Sequence, residues 1–264
     1  RKVNSLLEAM ALAATATADF YVENCCADGI PLWDTGAPDL GVPDNTNGGD
    51  ATGVTLSGDA IPFTDGPDGR VSGAFIYVLE RPELHMTTGP DGHFEFTGLA
   101  IGSEISLRLQ RARYAPIQTG TVTLGDAGAE RVTFQAVSTS VYAGLAAIVE
   151  ITPDPTRCQL VTTVTRIGRS IYDTGAHGEA DVVVTIDPPL PAEHGPVYFN
   201  SSVIPERTLT MTSDDGGVLY TNVPPGTYTL TGTKAGAVFT TVKAKCEAGW
   251  LVNASPPWGL QRTM

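Results

Sequence analysis

The residues best equipped for chemistry are few and dispersed. His177-Gly178-Glu179 sets an imidazole and a carboxylate two residues apart in one turn-rich stretch, and His194 follows in the next. Those are the donor types of a metal-assisted hydrolase, with scattered surface histidines as the alternative. Upstream, Asp34, Asp39, Asp44, Asn47 and Asp50 gather hard oxygen donors in a Gly-rich loop, the ligand chemistry of calcium. They lack the EF-hand spacing, so a solvated acidic linker competes with a calcium site. Tyr198, Trp250 and Trp258 offer ring faces of the kind that stack on sugars, unless strand alternation turns them into a core. No G-x-S-x-G elbow, H-E-x-x-H, P-loop or strand-linked G-x-G-x-x-G occurs.

Four cysteines, Cys25, Cys26, Cys158 and Cys246, show no C-x-x-C spacing, which argues against a zinc knuckle or a redox dithiol. Cys158 precedes one strand-like run and Cys246 follows another, so a Cys158–Cys246 bridge is expected, with two reduced buried thiols as the alternative. Such a long loop would be worth about 4–5 kcal/mol in the chain-entropy account. Adjacent Cys25 and Cys26 do not readily bridge each other and are expected to pair elsewhere. The sequons Asn200-Ser201-Ser202 and Asn253-Ala254-Ser255 are short enough to arise by chance.

The elements that must position these residues are mostly strands. With 29 glycines and 19 prolines in 264 residues, long helices are scarce. The chain is 42% hydrophobic and only 17% charged, and its net charge of −13 would repel a phosphate backbone, so nucleic acid is not an expected partner. No apolar run reaches the roughly 20 residues of a bilayer-spanning helix. Val3, Leu6, Leu7, Met10 and Ala14 recur at helical spacing and predict a short amphipathic N-terminal helix. Residues 27–53 are a Gly, Pro, Asp and Asn loop. From Val54 short Val/Ile/Thr/Tyr/Phe runs alternate with turn residues, the pattern of strands in a sandwich. Val141–Val149 is apolar without alternation and reads as a short helix or buried connector, followed by the breaker Thr152-Pro153-Asp154-Pro155.

The second half repeats the first. Asp91-Gly92-x-Phe94-x-Phe96-x-x-Leu99-x-x-Gly102 returns as Asp215-Gly216-x-Val218-x-Tyr220-x-x-Val223-x-x-Gly226 without a gap. In each copy Asp-Gly makes a tight turn and the alternating apolar residues face one core. Together with Gly69–Val78, Thr88 and Tyr114, these residues resemble the carboxypeptidase regulatory-like, or transthyretin-like, family of small seven-stranded sandwiches. The resemblance covers roughly 54–136, and residues 212–216 and 222–230 are similar to it in the second half. It implies accessory, adhesive or glycan-associated domains rather than catalysis. Residues 18–38 are also similar, over that short stretch only, to unsaturated glucuronyl hydrolase-like glycosidases.

The expected architecture is mainly β: two tandem antiparallel seven-stranded sandwiches with a short N-terminal helix. The expected units are a helix and acidic loop at 1–53, a first sandwich at 54–137, an apolar connector at 138–157 and a second sandwich with inserted loops at 158–264. The expected role is a non-catalytic extracellular, cell-surface or periplasmic structural or adhesive protein. It would assemble with copies of itself, or bind extracellular polymers, through its N-terminal segment and strand edges. A carbohydrate-binding accessory module using Tyr198, Trp250 and Trp258, and a hydrolase or metal enzyme using the second-half loops, are the alternatives. No cofactor beyond calcium is expected.

Overall fold

A computed structural model describes residues 53–264, apart from 66, 67, 171, 174 and 176. The N-terminal helix, Cys25 and Cys26, the acidic donors Asp34, Asp39, Asp44, Asn47 and Asp50, and the glycosidase-like stretch at 18–38 lie outside the described residues. The described chain is mainly β, as its alternating patterns predict.

The first half contains β1 (Val54–Pro62), β2 (Phe75–Val78), β3 (Arg81–Thr87), β4 (His93–Leu99), β5 (Glu104–Ile105), β6 (Leu107–Gln110), β7 (Ile117–Thr119), β8 (Val122–Thr123) and β9 (Phe134–Ala136). Helix α1 (Thr139–Ile148) follows; Ser138 caps its N-terminus by accepting a hydrogen bond from the Val141 amide. The second half contains β10 (Cys158–Thr165), β11 (Val183–Asp187), β12 (Val197–Phe199), β13 (Pro205–Glu206), β14 (Gly217–Val223), β15 (Gly226–Thr233), β16 (Thr241–Cys246), β17 (Leu251–Asn253) and β18 (Leu260–Gln261).

One long sheet runs through both halves in the order β13-β12-β14-β10-β17-β7-β6-β2-β3, with β18 also on β10. Against it lie β4-β1-β9 in the first half and β11-β15-β16 in the second. Two cores result. Leu56, Ile76, Phe94, Leu107, Ile117 and Phe134 belong to the first, and Leu160, Val184, Tyr198, Val218, Tyr220 and Leu230 to the second. The sheets are mixed, because β1 with β9 and β10 with β17 and β18 pair in parallel.

The sequence repeat reappears as a repeat of registers. Leu56 pairs with Phe96 and Gly58 with Phe94 in the first half; Leu160 pairs with Tyr220 and Thr162 with Val218 in the second. Both ladders shift register at the same place, between Val54 and Leu56 and between Cys158 and Leu160. Gly92 (φ 66°) and Gly216 (φ 81°) close the two Asp-Gly turns. A Cβ on either would sit 2.7 Å from the Ala60 carbonyl oxygen or 2.2 Å from that of Val164, so only glycine fits both backbone and space.

A second repeated device surrounds two buried threonines. Thr88 Oγ1 accepts from the Ala74 amide at 2.9 Å and donates to the Val71 carbonyl at 2.7 Å. Thr212 Oγ1 accepts from Val182 at 3.0 Å and donates to Glu179 at 2.7 Å. This latch makes β2 and β11 equivalent strands.

Candidate functional site: the seam between the halves

The strand that joins the halves is β17. It pairs in parallel with β10 on one side, Leu160 opposite Val252, and with β7 on the other, Gln118 opposite Val252. Successive side chains of a strand point to opposite faces. Leu251 accordingly packs into the first core and Val252 into the second. Backbone bonds continue past the strand: Gly120 N–H donates to Asn253 O at 3.0 Å and Thr121 N–H to Lys243 O at 2.8 Å.

Side chains tie the same seam. Arg108 is only 7% exposed, and its Nε donates to Gln118 Oε1 at 2.9 Å while its guanidinium pairs with Glu247. The guanidinium lies 4.1 Å from the Trp250 ring centroid, a cation–π contact. Gln118 Nε2 donates to Lys245 O at 2.6 Å, and Asn253 Nδ2 to Gln135 Oε1 at 3.1 Å. Lys243 reaches both carboxylate oxygens of Glu104 at 2.7 Å, and Lys245 pairs with Glu80. The Lys243 hydrogen bond, ahead of its charge, holds the Glu104 carboxyl below the usual range.

A loop of the second half makes a separate clasp. The Tyr172 hydroxyl meets Thr133 Oγ1 and lies 3.3 Å from Asp59 Oδ2, with the Arg131 guanidinium 5.2 Å from its ring centroid. Burial, then the Asp59 carboxylate, pushes the Tyr172 phenol well above its ordinary pKa.

The predicted chemistry-bearing residues are placed as follows. Cys158 and Cys246 form a disulfide that spans 88 residues, with Cα atoms 5.7 Å apart. Tyr198 is not a sugar platform: it is 1% exposed, its ring fills the second core, and its hydroxyl accepts from the Val184 amide at 3.0 Å. Trp250 is half-buried under Arg108. Trp258 is 36% exposed and stands at a groove of about 200 Å³ that Thr121, Thr241, Lys243, Pro257 and Gln261 also line. The structure therefore does not bring the three aromatics together.

The loop residues of the enzyme reading are engaged elsewhere. Glu179 is buried and its Oε1 receives Lys234 Nζ at 2.6 Å and Arg262 at 3.1 Å. His194 Nδ1 lies 2.9 Å from the Thr221 carbonyl oxygen. Among the described residues no three His, Cys, Asp or Glu side chains group as a metal site. Asn253 of the second sequon is buried in the seam.

Sequence reasoning missed β7, Gln118 and Arg108. The signal was weak: Pro116-Ile117-Gln118-Thr119-Gly120 has one apolar residue among polar ones and turn formers. A buried arginine is recognisable only when Glu247 and Trp250, more than a hundred residues away, are in place.

No family model matches the sequence, and no curated protein matches it. Among solved structures it is similar to the Bacillus anthracis TIE protein, with 13% identity and a TM-score of 0.27 over 79% of this chain and 34% of that one. It is also similar to a streptococcal ancillary pilin, with 14% identity and a TM-score of 0.23 over 79% and 64%. GBS52, the minor pilin of Streptococcus agalactiae, matches with 10% identity and a TM-score of 0.25 over 79% and 95%. The chain thus covers less than two thirds of the first two.

Proposed function

We propose that this chain is a non-catalytic extracellular structural or adhesive protein that assembles with copies of itself or with surface polymers. Its units are two transthyretin-like sandwiches, at 54–137 and 158–264. The observation that carries this reading is the path of mechanical load. The Cys158–Cys246 disulfide joins the start of β10 to the end of β16. Tension on the flanking chain crosses that covalent bond and bypasses the residues between. The bond also implies an oxidising compartment. The shared sheet and the charged seam add stiffness between the halves, as a load-bearing element requires.

Single-molecule stretching between handles at the two chain ends tests this. Under oxidising conditions the span of 88 residue steps from Cys158 to Cys246 yields no extension, and reductant releases roughly 300 Å at about 3.4 Å per residue. Equal extension with and without reductant would overturn the reading.

A carbohydrate-binding accessory role is favoured by one feature, the Trp258 groove with its Thr121, Thr241 and Gln261 lining. A glycan array comparing the native chain with Trp258→Ala tests it; an equal response from both removes it.

A further inference from the structure

The two halves differ in where one strand goes. In the first, the strand after β2 stays in its sheet: β3 pairs with β2, Ile76 opposite Met86. In the second, the segment after the equivalent β11 crosses to the other sheet, where β12 pairs with β14, Val197 opposite Leu219 and Tyr198 opposite Val218. Among the described residues each half therefore leaves a different edge without a strand.

In the second half the vacated edge is sealed by side chains. Val184 of β11 donates its N–H to the Tyr198 hydroxyl at 3.0 Å and accepts the Tyr220 hydroxyl at 3.2 Å. Val182 is held by the Thr212 latch. Other edges are guarded by proline: Pro82 in β3 and Pro205 in β13, the two ends of the long sheet.

The vacated edge in the first half is that of β4, which among the described residues pairs only with β1. Ser57 turns its N–H to Ala129 O and its carbonyl to the Val132 amide, both away from β4. Phe94 and Phe96 therefore carry the β1 bonds, and the N–H and C=O of Glu95 face outward. Glu95 is the counterpart of Leu219, the residue β12 covers in the second half. Among the described residues, no backbone bond reaches 94–99 from outside the β1 ladder. The β4 edge carries neither Pro, Lys nor Arg.

We propose that this edge binds a second copy of the chain, β4 to β4, antiparallel about a two-fold axis, the direction in which β12 lies on β14. The outward residues of the regular part of β4 are His93 and Glu95, both exposed and on one face. Aligning Phe94 with its symmetry mate sets His93 of each copy opposite Glu95 of the other. The His93 N–H is held by its own Asp91 Oδ1 at 3.2 Å, so the backbone bonds of the pair run from each Glu95 N–H to the facing His93 carbonyl. In its own chain each His93 Nδ1 already lies 3.0 Å from Asp59 Oδ1, so it is Nε2 that meets the facing Glu95 carboxylate. Two such pairs form, and no two carboxylates stand directly opposed. The one-residue register shift at Val54/Leu56 ends the pairing beyond Phe96. Two three-stranded sheets become one six-stranded sheet in a closed dimer. The inference rests on the assembly reading and names one contact within it.

The test uses the full chain. His93→Cys and Glu95→Cys variants are mixed under mild oxidation, and linked peptides are read by mass spectrometry, which distinguishes them from links through Cys25 or Cys26. A 93–95 link between the two variants, exceeding the 95–95 link of Glu95→Cys alone, is expected. Light scattering should show a concentration-dependent dimer in the native chain, weakened roughly tenfold by Glu95→Lys, which removes both pairs and adds charge to the edge. Glu95→Pro removes the outward N–H and should abolish the dimer with β1–β4 intact, and unchanged melting of both variants verifies the fold. A chain monomeric at all concentrations overturns the proposal. Assemblies that persist in both variants without the 93–95 link overturn this contact and leave the assembly reading standing.

Discussion

Leu251 and Val252 are neighbours in the chain and members of different cores. The backbone of β17 is hydrogen-bonded to β10 and β7 at once, so neither core is complete without the same three residues. Truncating Leu251 to Ala should cost about 2–4 kcal/mol and lower the melting of the first core. Calorimetry of the native chain should show one cooperative transition rather than two. Two independent endotherms, with Leu251→Ala shifting neither, would refute the coupling.

Arg108 anchors the seam through Gln118, Glu247 and the Trp250 face. Arg108→Ala strips a buried cation from three partners and is expected to cost about 2–4 kcal/mol, less than a fully buried pair because Glu247 remains half exposed. Arg108→Lys should recover little, since an ammonium cannot stack and fork in the same way. Chemical denaturation of the two variants measures the difference.

Thr88 and Thr212 make the same two buried bonds in the two halves. Thr→Val at either position keeps the shape and loses both, leaving a buried amide and a carbonyl unpaired, for about 1–3 kcal/mol each. Similar losses at the two sites are expected. A loss at one site alone would show that the repeat in geometry is not a repeat in energetics.

How much of this was legible in the sequence follows from where each determinant lies. The Asp91-Gly92 and Asp215-Gly216 turns and the apolar alternation behind them are local, and they predicted the strands β4 and β14 and their inward faces, though not the partners those strands pair with. Thr88 and Thr212 stand three residues ahead of the two Asp-Gly turns, but their buried bonds to Ala74 and Val182 needed the fold. The route of β12 was not legible, because a short strand-like run does not say which sheet it joins and only distant pairing decides it. The two readings of Tyr198, sugar platform or core, stayed open for the same reason. An aromatic in a short strand looks the same whether it meets solvent or seals the β11 edge. The Cys158–Cys246 pairing was legible from cysteines at the ends of two strand patterns, but its place was not: the bond runs between sheets, from β10 in the long sheet to β16 in β11-β15-β16.

Glu179 predicts the acid sensitivity of the second half. Burial alone would raise its carboxyl, but the hydrogen bond and charge of Lys234 and the charge of Arg262 outweigh that and hold it below the usual range. A carboxyl depressed in the folded state adds stability above its unfolded value of about 4.3 and loses it as pH falls through the folded value. Glu179→Gln should therefore be less stable at pH 7 and show a shallower loss on acidification. Identical acid slopes for the two chains would remove Glu179 from this role.

Reduction of the Cys158–Cys246 bond frees an 88-residue loop and should lower stability by about 4–5 kcal/mol in the chain-entropy account. Denaturant melts with and without reductant measure it. A loss below about 1 kcal/mol would mean that the unfolded chain is already confined near this geometry.

The place of β17 also sets a timetable. During synthesis the first half emerges with β7 lacking its neighbour and with Leu251 absent from its core, and it waits for more than a hundred further residues before either arrives. Domains that fold as units do so as they appear, but here the early half finishes last, together with the late one. Such non-local closure is slow, and the waiting chain exposes the β7 edge throughout. A ribosome-bound chain stalled before residue 251 should be protease-sensitive in both halves, and one stalled well beyond it protected in both.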